Sequence, residues 1–91
     1  MVIDSVFFKD KKVFLTGHTG FKGSWLTLML HQMGAKVTGY SLSPNTNPSL
    51  FEVIHGETLC HSVIGDLRDT HLLHQTMAEC QPDVVFHLAA Q

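Results

Sequence analysis

Cysteine and proline are scarce in this chain of 91 residues, with two and three copies, and only 15% of its side chains are charged. Cys60 and Cys80 lie far apart and form no C-x-x-C pair, which argues against a disulfide framework or a redox site and leaves free, buried thiols as the expectation. Six cations stand against eight anions for a net charge of -2. Lys9, Lys11 and Lys12 are the one cluster of cations, read as solvated surface, so no nucleic-acid partner is expected. No segment approaches the roughly 18 apolar residues of a membrane span, and MVIDSVFFKD lacks the charged and apolar regions of a signal peptide. No membrane partner and a cytoplasmic location are the expectations. Histidine is plentiful, with seven copies, but only His71 and His74 share a helical face and no third ligand accompanies them, so no metal site is expected. A hydrophobic content of 44% with so little charge describes a globular chain rather than a disordered one.

Glycine is what the chain spends with purpose. Residues 13 to 23 read VFLTGHTGFKG, a β-branched and aromatic run followed by glycines at steady three-residue spacing: Gly17, Gly20 and Gly23. Such a strand-to-helix turn has a physical reason for each glycine. Gly17 takes the positive φ that ends the strand tightly, Gly20 lets backbone N–H groups approach a pyrophosphate, and Gly23 lets the helix lie close on the sheet. The helix then presents unpaired N–H donors and a positive dipole end to the ligand, and a dinucleotide is the natural guest. A P-loop needs G-x-x-x-x-G-K-S/T, whereas Lys22, Gly23 and Ser24 run in the wrong order, which argues against a kinase or ATPase.

The surroundings of the turn fit a βαβ unit. A strand over Lys12 to Thr16 precedes a helix from about Lys22 to Met33, whose apolar stripe is read as Phe21, Trp25, Leu28 and Met29. Gly34 stops the helix, and Lys36 to Tyr40 forms the second strand. Ser41 to Pro48 is a Pro/Asn/Ser loop, and residues 49 to 54 have room for a turn or two of helix. Leu59 to Ile64 reads as a third strand. Asp69 caps a helix whose stripe is Leu72, Leu73, Met77 and Cys80 and which ends before Pro82. Asp83 to Leu88 is an apolar run suited to a strand buried on both faces. Right-handed crossovers arrange these strands as a partial Rossmann-like, doubly wound parallel sheet in the order 3-2-1-4, with the glycine turn at the switch point. The glycine turn, Tyr40 to Leu42, Asp66 to Leu67 and Ala89 to Gln91 then converge beyond the carboxyl ends of the strands.

TGHTGFKG, VTGYSL, GDLRD and VVFHLAAQ together resemble the N-terminal cofactor half of the extended short-chain dehydrogenase/reductase family, with its G-x-x-G-x-x-G motif. Within it, GHTGFKGSWL, GYSL and PSLFE look like the CDP-glucose 4,6-dehydratases. The resemblance spans residues 12 to 91. It implies that Gly17, Gly20, Phe21, Lys22 and Gly23 line the pyrophosphate of NAD, that Asp66 and Leu67 meet the adenine, and that Ala89, Ala90 and Gln91 border the ribose on the nicotinamide side. Many NAD-binding members end the second strand with an acidic residue that accepts from the adenosine ribose. Here that end is Tyr40 and Ser41, so Ser41 is the ribose candidate, with NAD preferred and NADP not excluded.

The family chemistry so implied is an internal redox elimination that turns a nucleotide-linked sugar into its 4-keto-6-deoxy product. It uses a Tyr-x-x-x-Lys pair and further acid/base groups, and the single tyrosine, Tyr40, is followed four residues later by Pro44. No catalytic residue is therefore expected in residues 1 to 91. The leading expectation is the incomplete N-terminal part of an NAD(P)-binding domain from such an enzyme, inactive alone, with CDP-glucose as a partner only when the substrate-binding part is present. Full-length relatives are expected to form homo-oligomers. Two alternatives stay open: a non-catalytic NAD-binding module or remnant, and a fragment of another sugar-nucleotide epimerase or dehydratase of the extended family.

Overall fold

The computed structural model describes residues 5–43 and 49–88. Its elements run α1 (Ser5–Phe8), β1 (Lys12–Thr16), α2 (Phe21–Gln32), β2 (Lys36–Ser41), α3 (Leu50–Val53), a 3-10 turn at Gly56–Thr58, β3 (His61–Ile64), α4 (Thr70–Cys80) and β4 (Val84–His87). The four strands form one parallel sheet in the order β3-β2-β1-β4, as the crossover argument requires. Helix α1 lies where no element was assigned from the sequence. Asp10 takes a left-handed φ of 63° just beyond it, and the Asp10 N–H donates to the Gly34 carbonyl at 2.9 Å, joining this end to the far end of α2.

Local chemistry explains the boundaries. Gly34 adopts φ 84° beyond α2, and the N–H groups of Gly34 and Ala35 donate to the carbonyls of His31 and Leu30, closing a Schellman motif. Asp69 accepts from the Leu72 N–H at 3.1 Å to cap α4, and the left-handed Gln81 with Pro82 after it ends that helix. The Asp83 carboxylate accepts from the Lys12 N–H at 2.9 Å, which fixes the start of β1 against the start of β4.

The core lies between the sheet and α2. Val13, Leu15, Leu30, Ala35 and Val37 are buried together, with Phe8, Leu26, Met33, Cys60, Val84 and Phe86 packed around them. Phe14 and Tyr40 occupy the opposite face, ring centroids 6.4 Å apart.

Most of the stripe expected on α2 faces outward, with Leu28 alone of its four residues half-buried. Phe21, Trp25 and Met29 are exposed, at 71%, 44% and 39%, while Gly23, Ser24, Thr27 and Leu30 are the buried residues. The cause is steric. A Cβ on Gly23 would overlap the carbonyl of Gly17 and stand 2.8 Å from the Cα of His18, so only small side chains fit where α2 passes over the turn. The two hydroxyls carried inward are satisfied: Ser24 Oγ donates to the His18 carbonyl at 3.1 Å, and Thr27 Oγ1 to the Gly23 carbonyl at 2.8 Å. Strand β4 stands at the sheet edge, as the order 3-2-1-4 requires, but Val85 is half exposed rather than covered on both faces.

Candidate functional site

The glycine turn sits where β1 meets α2, and each of its glycines has a different structural status. Gly17 has φ 83°, which L side chains rarely adopt, and its N–H donates to the Tyr40 carbonyl at 3.0 Å. Gly23 is enforced by the close packing already described. Gly20 is enforced by neither: it has φ -75°, and a Cβ there would meet only the Gly17 carbonyl, at an ordinary 3.5 Å. Glycine is a favoured N-cap, which accounts for Gly20 in the fold, and its lack of a side chain leaves the space over the turn open.

Gly20 is also the N-cap of α2 and offers no side chain to the first-turn donors. The N–H groups of Phe21, Lys22 and Gly23 precede the first intrahelical bond, in which the Ser24 N–H donates to Gly20. They therefore form a positive end with Phe21 and Lys22 exposed around it. That arrangement suits a pyrophosphate.

Three further loops adjoin the turn. Thr19 Oγ1 lies 2.9 Å from Ser41 Oγ and donates to the Leu42 carbonyl at 2.8 Å, tying the turn to the end of β2. The Ser41 carbonyl accepts from the Gly65 N–H at 2.8 Å, which brings the segment carrying Asp66 and Leu67 alongside. The Leu88 N–H donates to the Thr16 carbonyl at 3.1 Å, so the chain leaves β4 at the same sheet edge. Gly17, Gly20, Phe21, Lys22, Gly23, Ser41, Asp66 and Leu67 are thus gathered there. Ala89, Ala90 and Gln91 lie outside the described residues, as does most of the Pro/Asn loop.

Asp66 is already engaged. Its carboxylate accepts from the backbone N–H of Arg68 at 2.9 Å and from the Arg68 guanidinium at 2.7 to 3.2 Å, and these bonds hold its pKa down to about 2. It is an anion with lone pairs to spare, fit to accept from an amino group.

Two residues matter more than the sequence revealed. Tyr40 is fully buried, and its hydroxyl donates to the Asp66 carbonyl at 2.7 Å, so it props the Asp66 segment from beneath. Burial, with the carboxylates of Asp69 and Asp66, raises its pKa and keeps the proton in place. His18 is fully buried too. Its Nε2 shares a 2.7 Å hydrogen bond with Ser62 Oγ on β3, and its ring stands edge-on to Phe51 at 5.2 Å. Burial lowers its pKa from 6.5 to about 4, opposed by the Tyr40 backbone, so it is neutral at physiological pH. A lone tyrosine at a strand end and a histidine inside a glycine motif were the available signals. Cys60 and Cys80 are free thiols, and burial pushes Cys60 up to about 11, an inert group.

Residues 14–91 match the family model described as GDP-mannose 4,6 dehydratase. The chain belongs to that family. Membership bears out the resemblance to the extended short-chain dehydrogenases/reductases. The CDP-glucose 4,6-dehydratase of Salmonella typhimurium is 54% identical over 99% of this chain and 25% of its own length. GDP-mannose 4,6 dehydratase 2 of Caenorhabditis elegans is 33% identical over 92% of this chain and 24% of its own length. The chain therefore spans about a quarter of the length of these relatives. Among solved structures, the Bordetella bronchiseptica enzyme WbmH in complex with NAD+ superposes with a TM-score of 0.73 and 34% identity over 90% of this chain and 27% of that one. The UDP-glucose-4-epimerase of Stenotrophomonas maltophila with bound NAD does so with a TM-score of 0.74 and 31% identity, over 89% and 25%. Within this family fold, the glycine turn lies at the switch point between β1 and β4, the usual place for a ligand in open α/β sheets.

Proposed function

We propose that this chain is the NAD-binding N-terminal part of a sugar-nucleotide 4,6-dehydratase of the CDP-glucose type, with its substrate-binding part and catalytic groups elsewhere. The observation that carries the reading is Gly20, an N-cap glycine with open space beside it, which leaves the first-turn N–H groups of α2 free for a pyrophosphate. The pyrophosphate lies across Gly17, Gly20, Phe21, Lys22 and Gly23, held by the first-turn N–H groups of α2. The adenosine ribose meets Ser41. The adenine lies against Leu67 and donates its amino group to Asp66, whose pKa of about 2 keeps it an acceptor. The cofactor supplies reversible hydride acceptance, and the residues of this chain bind and orient it.

Relatives described as CDP-glucose and GDP-mannose 4,6-dehydratases, and neighbours solved with NAD, support the choice of cofactor and of reaction class. The test is calorimetric titration of NAD into wild type, Gly20→Val and Asp66→Asn. Val at this N-cap costs the fold about 1 kcal/mol, yet its branched side chain fills the pyrophosphate space and abolishes binding. Asp66→Asn weakens binding several-fold. Unchanged NAD affinity in Gly20→Val removes the turn from the site.

A further inference from the structure

We propose that Thr19 fixes the Ser41 hydroxyl as a hydrogen-bond acceptor toward the ligand, and that this polarity selects an unphosphorylated adenosine ribose over a 2′-phosphate. The inference rests on the dinucleotide reading above and deepens it. Each hydroxyl owns one proton. Thr19 Oγ1 lies 2.8 Å from the Leu42 carbonyl oxygen, which can only accept, so the Thr19 proton is committed there. The 2.9 Å bond between Thr19 Oγ1 and Ser41 Oγ must then take its proton from Ser41. Ser41 is left with lone pairs and no free proton, and Thr19 is buried well enough that water does not substitute for this partner.

The consequence lies at the end of β2, where family members commonly carry a carboxylate that accepts from the ribose hydroxyls. A serine free to rotate accepts from a hydroxyl or donates to a phosphate with equal ease. Ser41 cannot turn round without abandoning Thr19. It accepts from a ribose 2′-hydroxyl as a carboxylate does, and it offers a 2′-phosphate only lone pairs. Discrimination thus comes from a missing donor rather than from a negative charge. Thr19 is a positioning residue in this scheme, acting through Ser41.

The test is titration of the full chain with NAD and with NADP at one fixed salt concentration, for wild type, Thr19→Val, Thr19→Ser and Ser41→Ala. Wild type prefers NAD. Thr19→Val frees the Ser41 proton and shifts the ratio of the two dissociation constants toward NADP by roughly tenfold, the scale of one hydrogen bond to a charged acceptor. Thr19→Ser retains the wild-type ratio, and in a Ser41→Ala background Thr19→Val no longer moves it. Ser41→Ala alone weakens NAD and leaves NADP unchanged, an outcome readable even when Thr19→Val does not fold. A folded Thr19→Val with the wild-type ratio, a Ser41→Ala with wild-type NAD affinity, or a wild type that binds both dinucleotides equally overturns the inference and leaves the dinucleotide reading standing. Binding of neither dinucleotide by wild type overturns both.

Discussion

The imidazole of His18 fills the space where a side chain on Gly39 would be. A Cβ built on Gly39 overlaps the His18 ring, whose Nδ1 would stand 2.7 Å away. That ring is held from three sides, by Gly39, by Ser62 Oγ and by the edge contact with Phe51, so it has no room to yield. Gly39→Ala is therefore expected to destabilise the fold by about 1–3 kcal/mol, the cost of overpacking a filled interior. Urea unfolding measures it. The cost should vanish in a His18→Ala background, and an additive double variant would place the strain elsewhere.

Glycines 20 and 23 should separate fold from ligand. Gly23→Ala drives a Cβ into the backbone of Gly17 and His18, which cannot swing aside as a side chain can, so α2 must lift from the turn. A loss of about 3 kcal/mol is expected, at the upper end for overpacking. Gly20→Ala meets only an ordinary contact, and the N-cap change costs no more than about 1 kcal/mol. Unfolding midpoints of the two variants give the comparison, and equal losses would contradict it.

Stability should also carry the signature of a buried neutral histidine. The folded chain keeps His18 neutral down to about pH 4, whereas the unfolded chain protonates it near 6.5. Between these values the unfolded chain holds the extra proton, so stability rises with pH, is complete above about pH 6.5 and is lost as pH falls through the window. The contribution is on the order of 3 kcal/mol between pH 7 and pH 4. Other titrating groups are removed by subtraction: wild type should lose more stability than His18→Asn over this range. Parallel pH profiles would show that His18 is solvated.

What was legible in the chain, and what was not, divides along a physical line. The spacing of Gly17, Gly20 and Gly23, the stop at Gly34 and the Asp69 cap follow from local backbone demands that residue type records directly, and the strand order follows from the handedness of the crossovers. The buried face of α2 does not. Large apolar residues are read as core, yet here the helix passes so close to the turn that Gly23, Ser24 and Thr27 face inward and Trp25 faces out. Contacts from His18 to Ser62 and from Tyr40 to the Asp66 carbonyl join residues distant in sequence through single polar atoms, and no periodicity encodes such pairs. The candidate site residues on the turn could be named because the glycine spacing Gly17, Gly20 and Gly23 is a local pattern. Their supports were missed because only the folded sheet brings them together.

Exposed apolar side chains should make the isolated chain self-associate. Phe21, Trp25 and Met29 lie on the outer side of α2, and Val85 stands half exposed on the edge strand β4, a ready template for further pairing. Sedimentation velocity at micromolar concentration should show species larger than a monomer, reduced in Trp25→Lys and Val85→Lys. A monomer that unfolds cooperatively and reversibly would count against this.

The isolated chain should not turn over CDP-glucose when NAD is added. Dehydration across a sugar needs a group that takes a hydroxyl proton and an acid/base pair for the elimination, each within hydrogen-bond reach of the substrate. Tyr40 is the only tyrosine, and it is buried, with its hydroxyl donated to the Asp66 carbonyl and its pKa raised, so it cannot serve as a base. Asp66 is held near a pKa of 2 by Arg68, too weak a base and never an acid at neutral pH. Asp69 spends its carboxylate on the Leu72 N–H. Lys22 stands beside the turn with no tyrosine four residues before it. The assay is formation of the 4-keto-6-deoxy product by purified chain free of host dehydratase. Sustained turnover above background, abolished by Gly20→Val, would move catalysis into these 91 residues and refute the assignment of the chemistry to another part of the enzyme.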